Sequence, residues 1–180
     1  MTQEFPGTEI DVGVASDHVA KVDVKIQRIK ETARKVKAGL PWELPRQLIK
    51  DLITYSVSRI KKRRTAALEE NICPRVLFTG VPTDYKKELQ LAFGDYIEAY
   101  EGISNTMAEW SVACIALYLA ANSMGSWLLW KIDTRSRVRR SNVVKLVTTD
   151  AIISVMNAIA EEDVMQARDP QQRSVEELVG

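Results

Sequence analysis

Residues Asp17 to Leu40, DHVAKVDVKIQRIKETARKVKAGL, hold no proline and no glycine before Gly39. Apolar residues fall at Val19, Val22, Ile26, Ile29, Ala33, Val36 and Leu40. Those steps alternate between three and four, the period of one buried helix face. Asp17 stands where an N-cap belongs and Gly39 where helices stop. The other faces are crowded with Lys21, Lys25, Arg28, Lys30, Arg34, Lys35 and Lys37. One acid, Asp23, stands in that basic field, and Gln27, Lys30 and Arg34 follow it at helical spacing, so all four share a face. A carboxylate above a row of donors is what a metal-bound phosphodiester would need. An amphipathic helix with a solvated basic side accounts for the same pattern.

Downstream, GLPWELP carries Gly39, Pro41 and Pro45, and Pro45 fits the first turn of a second helix reaching about Arg63. Leu48, Leu52, Tyr55 and Ile60 form its stripe, with Ile49, Ile53 and Val57 beside them. Such a wide apolar arc predicts an αα-hairpin with the first helix. The last turn, Lys61-Lys62-Arg63-Arg64, complements the helix dipole or touches phosphate. Upstream, Glu9 to Ala15 alternates like a short strand. His18, beside the N-cap, reads as a surface or capping residue.

The second half changes character. After a polar linker, Pro74 to Gly80 reads as a short helix, and Val81 to Leu91 as a loop or one helical turn around Asp84 to Lys87. Strands are expected from Phe93 to Tyr100, Trp110 to Tyr118, Trp127 to Ile132 and Val138 to Val147. Asp133-Thr134-Arg135-Ser136 makes a hairpin turn. Four short strands joined by turns predict a small closed barrel or a curled sheet. Trp127 and Trp130 are out of phase on their strand, so one is expected in the core and the other in solvent. Thr149 to Val164 reads as a helix with Ile152, Val155, Met156 and Ile159 on its face. The fold class is therefore α+β. The expected units are 1–65 (strand plus two helices), 66–91 (linker with a short helix), 92–148 (barrel), 149–165 (helix) and 166–180 (disordered tail).

Composition limits the function classes. An apolar fraction of 46% supports a packed core rather than disorder. The net charge of +1 leaves a nucleic-acid partner open, so distribution matters more. Arg135 to Arg140 is a further basic cluster, and a pair on one strand face, Arg137 and Arg139, suits phosphate oxygens, with Arg140 pointing the other way. Keeping a small barrel soluble explains these charges equally well. Cys73 and Cys114 lie far apart in apolar settings, as expected of a reduced intracellular setting, nuclear or cytoplasmic. One His and two Cys cannot make an ordinary zinc finger. No phosphate-binding glycine loop, G-x-S-x-G or nucleophile–histidine pairing is present. No apolar run is long enough to span a bilayer.

Several blocks, taken together, resemble consecutive parts of the Pol polyprotein of copia-type LTR retrotransposons. They are DHVAKVDVKIQRIKE, LPRQLIKDLITYSVSRI, CPRVLFTG and DYKKELQLAFGDYIEAY, similar to the end of the integrase catalytic core and the segment after it. The block GSWLLWKIDTRSRVRRSNVVKLV is similar to the small SH3-like barrel that follows. The resemblance runs from about Glu9 to Ala160. It implies the tail of an RNase H-like core whose two Asp and one Glu bind two divalent ions, Mg²⁺ or Mn²⁺, for DNA strand transfer.

Asp23 falls at the position of the last carboxylate, and Lys30 at a position from which the family's helix contacts DNA ends. Asp in place of Glu is one methylene shorter, a retreat of roughly 1.3–1.5 Å that misplaces a ligand bound at about 2.0–2.1 Å. The two earlier Asp residues would precede Met1. The expected protein is thus a catalytically incomplete internal piece of an integrase. Asp23 is its remnant metal and catalytic position, and no metal is held by the piece alone. Lys30, Arg34, Arg137, Arg139 and Arg140 are its candidates for weak, non-specific DNA contact, and self-association is a further expectation. A host-adopted nucleic-acid-binding module and a helical interaction domain without nucleic acid are the alternatives.

Overall fold

The structure is a computed structural model that describes residues 20–63, 73–80, 82, 84–100, 110–120 and 125–168. The expected strand at Glu9 to Ala15, the cap Asp17 and His18 lie outside the described residues.

Helix α1 spans Ala20–Ala38. Lys35 and Lys37 in its last turn complement the carbonyl end of the dipole. The Gly39 amide closes that turn on the carbonyls of Lys35 and Val36, at 3.2 and 3.1 Å. Pro45 introduces a 3₁₀ turn, Arg46–Leu48, that runs directly into helix α2, Ile49–Lys62. α2 packs back on α1, as the apolar arc predicts. The stripe is narrower than expected: Leu48, Leu52 and Tyr55 are buried, while Ile49 and Ile53 face solvent. α1 is likewise packed only toward its carboxyl end. Ala33 is buried, but Val22 and Ile26 are exposed, which corrects the expectation of one continuous buried face.

Helix α3, Pro74–Thr79, begins on proline and ends on Gly80, whose φ of 66° suits a residue without Cβ. Helix α4, Tyr85–Glu88, is capped by Asp84, which accepts the Lys86 amide at 3.1 Å. Five strands follow: β1 (Tyr96–Tyr100), β2 (Ser111–Leu119), β3 (Trp127–Lys131), β4 (Arg137–Arg140) and β5 (Val143–Lys145). Helix α5, Asp150–Arg168, completes the described chain and runs past the expected end at 165.

The sheet is antiparallel and open, in the order β4-β3-β2-β1-β5. β4 and β5, its two edges, are consecutive in the chain and separated by Ser141 and Asn142 alone. Four interstrand gaps would hold the edges of a flat sheet about 19 Å apart. A linker of that length reaches at most about 11 Å. The sheet must therefore curl until its edges converge at this corner. That is also why the single strand expected from Val138 to Val147 is broken in two.

Curling gives the sheet two buried faces. The inner face joins Ile97, Ala99, Cys114, Ala116, Trp127 and Leu129, with Val138 and Val143 against them, so all five strands contribute. The outer face carries Ile115, Leu117, Leu128 and Trp130. It packs with Phe93, Leu48, Leu52 and Tyr55, and with Met156 and Ile159 from α5. Trp127 and Trp130 do lie on opposite faces, but both are buried, because neither face is open where they stand. On α5, Met156 and Ile159 are buried as expected, whereas Val155 is exposed.

The helices and the sheet share this outer core across the expected boundaries at 65 and 92. Gly94 sits at the junction with a φ of +89°, and its amide bonds the Ala116 carbonyl at 2.9 Å. A Cβ built there would meet Leu40 Cδ2 at 2.2 Å, so the glycine lets the α1–α2 connection lie against the start of the sheet.

Candidate nucleic-acid interface

The basic surface of α1 is real: Lys25, Arg28, Lys30, Arg34, Lys35 and Lys37 are all exposed. They face water because the packed side of the helix is taken by Ala33, with Val36 and Leu40 half-buried against the core. Neither Lys30 nor Arg34 makes an ion pair among the described residues, so both present an uncompensated charge to solvent. Asp23 is exposed in the first turn of the same helix. Among the described residues, no three His, Cys, Asp or Glu side chains stand close enough to hold a metal ion.

The arginines of β4 divide into two faces as strand alternation requires. Arg137 and Arg139 pair with Trp130 and Leu128 and so project on the helix-covered side. Arg140 pairs with Trp127 and projects on the other side, where its Nη1 donates to the Arg139 carbonyl at 2.9 Å. The three are not equivalent. Arg137 donates from Nε and Nη2 to Asp51 Oδ2, at 3.1 and 2.7 Å, and from Nη2 to the Gln47 carbonyl at 2.8 Å. Asp51 is a buried carboxylate on α2. Arg137 therefore neutralises a buried charge and ties β4 to the start of α2. Arg139, two residues further along the same face, is exposed and makes no ion pair among the described residues. Arg139 is thus the strand's exposed cation without an ion pair among the described residues, while Arg140 is half-buried.

The basic run that ends α2 divides in the same way. Lys61 and Arg63 are exposed, whereas Lys62 is buried, with Nζ 2.9 Å from Glu88. Glu88 also binds Arg75, so α3 and α4 are pinned to the end of α2 through one carboxylate. The turn between β3 and β4 is anchored to α5 through the Arg135–Glu162 ion pair. It is tied internally as well, by Trp130 Nε1 donating to the Arg135 carbonyl at 3.0 Å. Arg135 has a φ of 53°, the left-handed residue of that tight turn.

α1 and β4 do not form one bonded cluster. α2 links the two, packing on α1 and holding Arg137 through Asp51. One further feature has no signature in the sequence: Arg59, Lys62, Arg63, Tyr85 and Leu89 line a common cleft. The basic run alone hints at its rim. The approach of Tyr85 and Leu89 depends on how α4 folds against α2. Both cysteines are buried, and neither forms a disulfide. Among the described residues, no helix is long and apolar enough to cross a membrane. Comparison of the chain with protein-family models, curated proteins and solved structures finds no match.

Proposed function

We propose that the chain is a nucleic-acid-binding segment of a copia-type LTR retrotransposon polyprotein. It spans the end of an integrase core and the small SH3-like barrel after it, in the context of DNA integration, and is catalytically incomplete as it stands. The observation that carries this reading is the order of the resembling blocks together with the elements they form. The αα-hairpin is followed by a short helix on CPRVLFTG. A strand then forms on DYIEAY, and later a strand, tight turn and basic strand on WLLWKIDTRSRVRR. A four-stranded meander whose fifth strand returns beside the first supports the barrel reading, as does an inner core drawn from every strand.

The integrase reaction uses two divalent metal ions, which clamp the attacking and leaving oxygens of the phosphodiester. Among the described residues, Asp23 belongs to no group of three His, Cys, Asp or Glu side chains that could hold such a pair. Binding is what these residues can perform. Lys30 and Arg34 on α1, with Arg139 and Arg140 on β4, would neutralise backbone phosphates and release counterions. Nothing in their arrangement reads base edges, so contact is weak and sequence-independent.

Fluorescence anisotropy with a labelled 20-base-pair duplex across a potassium chloride series tests this. Affinity should fall with salt along a log–log slope of about −0.9 per phosphate contact. It should also be similar for unrelated sequences. Absence of binding at low salt, or binding indifferent to salt, would overturn it.

A further inference from the structure

The cleft beside the end of α2 has a volume of about 440 Å³ and is lined by Arg59, Lys62, Arg63, Tyr85 and Leu89. Its composition is unusual for a gap between helices, with cations along α2 and an aromatic and an aliphatic side chain from the α4 region. Each cation has a different state. Lys62 is spent on Glu88. Among the described residues Arg59 donates its Nε alone, to the Tyr55 hydroxyl at 2.7 Å, with its guanidinium carbon 5.1 Å from the centre of that ring. The terminal nitrogens of Arg59 therefore stay available at a fixed position. Arg63 is exposed and its side chain makes no ion pair among the described residues. Tyr85 is 39% exposed and Leu89 36%, so both leave apolar surface at the cleft. One carboxylate, Glu88, is shared between Lys62 and Arg75, so the neighbourhood keeps an excess of positive charge.

We propose that this cleft binds one unpaired nucleotide of a single-stranded nucleic acid. Its base would lie against Tyr85 and Leu89, and its phosphate on Arg63 and the terminal nitrogens of Arg59. A flat apolar group joined to a phosphate matches both halves of the lining. Every base offers a π-face, so an aromatic platform beside a cationic rim takes single strands without choosing sequence. An acidic peptide would satisfy the arginines but leave the Tyr85–Leu89 surface without a matched partner. A duplex keeps its bases stacked inside and cannot offer one to the cleft. This site is separate from the α1 and β4 surface proposed for duplex DNA, and it deepens the nucleic-acid reading by naming single strands as a second form of the partner.

The full-length chain is titrated with fluorescein-labelled dT12 and, separately, with a duplex, in the wild type and in Tyr85→Ala, Tyr85→Phe, Arg63→Gln and Lys30→Ala/Arg34→Ala. Tyr85→Ala should weaken dT12 binding roughly tenfold, as loss of one base–aromatic contact does, with little change in the salt slope. Tyr85→Phe should keep wild-type affinity. Arg63→Gln, at an exposed position that spares the fold, should flatten the single-strand salt slope by about 0.7. None of these should alter duplex binding, whereas Lys30→Ala/Arg34→Ala should alter it, so failure of either proposal is visible separately. Unchanged dT12 affinity in both Tyr85→Ala and Arg63→Gln would overturn the inference. So would equal losses on dT12 and duplex, or binding of poly-glutamate to the cleft in place of dT12.

Discussion

Replacing Arg137 by alanine separates a structural cation from a DNA-contacting one. Its partner Asp51 has a side chain only 6% exposed, while that of Arg137 is 40% exposed. Removing the arginine leaves a buried carboxylate and the Gln47 carbonyl without their donors. Breaking a fully buried ion pair costs about 3–5 kcal/mol. Water can reach this pair from the Arg137 side, which screens the attraction and lets the carboxylate rehydrate, so roughly half that cost, ~2 kcal/mol, is expected. For a domain of this size that corresponds to a fall in Tm of about 4–8 °C. Asp51→Ala combined with Arg137→Ala should be less destabilised than the sum of the two single variants, with a coupling of about 1 kcal/mol or more.

Calorimetry or thermal circular dichroism supplies the first reading and duplex anisotropy below the transition the second. Arg137→Ala should lower Tm and leave the salt slope of DNA binding alone. An unchanged Tm with a slope flattened by about 0.9 would refute the reasoning and make Arg137 a phosphate contact.

Three further outcomes are expected. Gly94→Ala should lower stability by about 1–2 kcal/mol, since a Cβ at positive φ is disfavoured before any contact with Leu40 is counted; denaturant unfolding measures it, and no loss would show that the α1–α2 connection shifts freely there. Met156→Ala should cost about 2–5 kcal/mol, because Met156 is fully buried among residues of α2 and the sheet; chemical unfolding should show the helices and sheet losing protection together, and loss confined to α5 would mean that the shared core does not couple them. The purified chain should neither nick nor join DNA with Mg²⁺ or Mn²⁺ present, and metal-dependent cleavage abolished by Asp23→Ala would contradict the proposed catalytic incompleteness.

What could be read from the sequence was local. Gly39 ends α1, Pro74 and Gly80 bracket α3, and Asp133 to Ser136 turns β3 into β4, because each depends on residues within a few positions. What escaped was set by distant partners. The periodicity of α1 marks which side could be buried, but Val22 and Ile26 remain exposed because burial needs a neighbour that spacing cannot supply. Trp127 and Trp130 alternate as a strand requires, yet both are buried, Trp127 among side chains of all five strands and Trp130 against the helices. The candidate site divides similarly. Lys30 and Arg34 were recognisable as exposed cations from helical phase alone. The different fates of Arg137 and Arg139 depend on Asp51, 86 residues before Arg137. No pattern along β4 could separate them.

Lys30, Arg34 and Arg139, which are exposed, and the half-buried Arg140 are proposed to contact nucleic-acid phosphates. Mapping amide chemical-shift changes in the ¹⁵N-labelled chain during titration with a short duplex at low salt tests it most directly. Changes should concentrate around Lys30, Arg34, Arg139 and Arg140, with Arg137 and Asp51 little moved and the changes reversed by added salt. Saturating duplex that leaves both surfaces unperturbed, or that shifts only residues elsewhere in the fold, would contradict it.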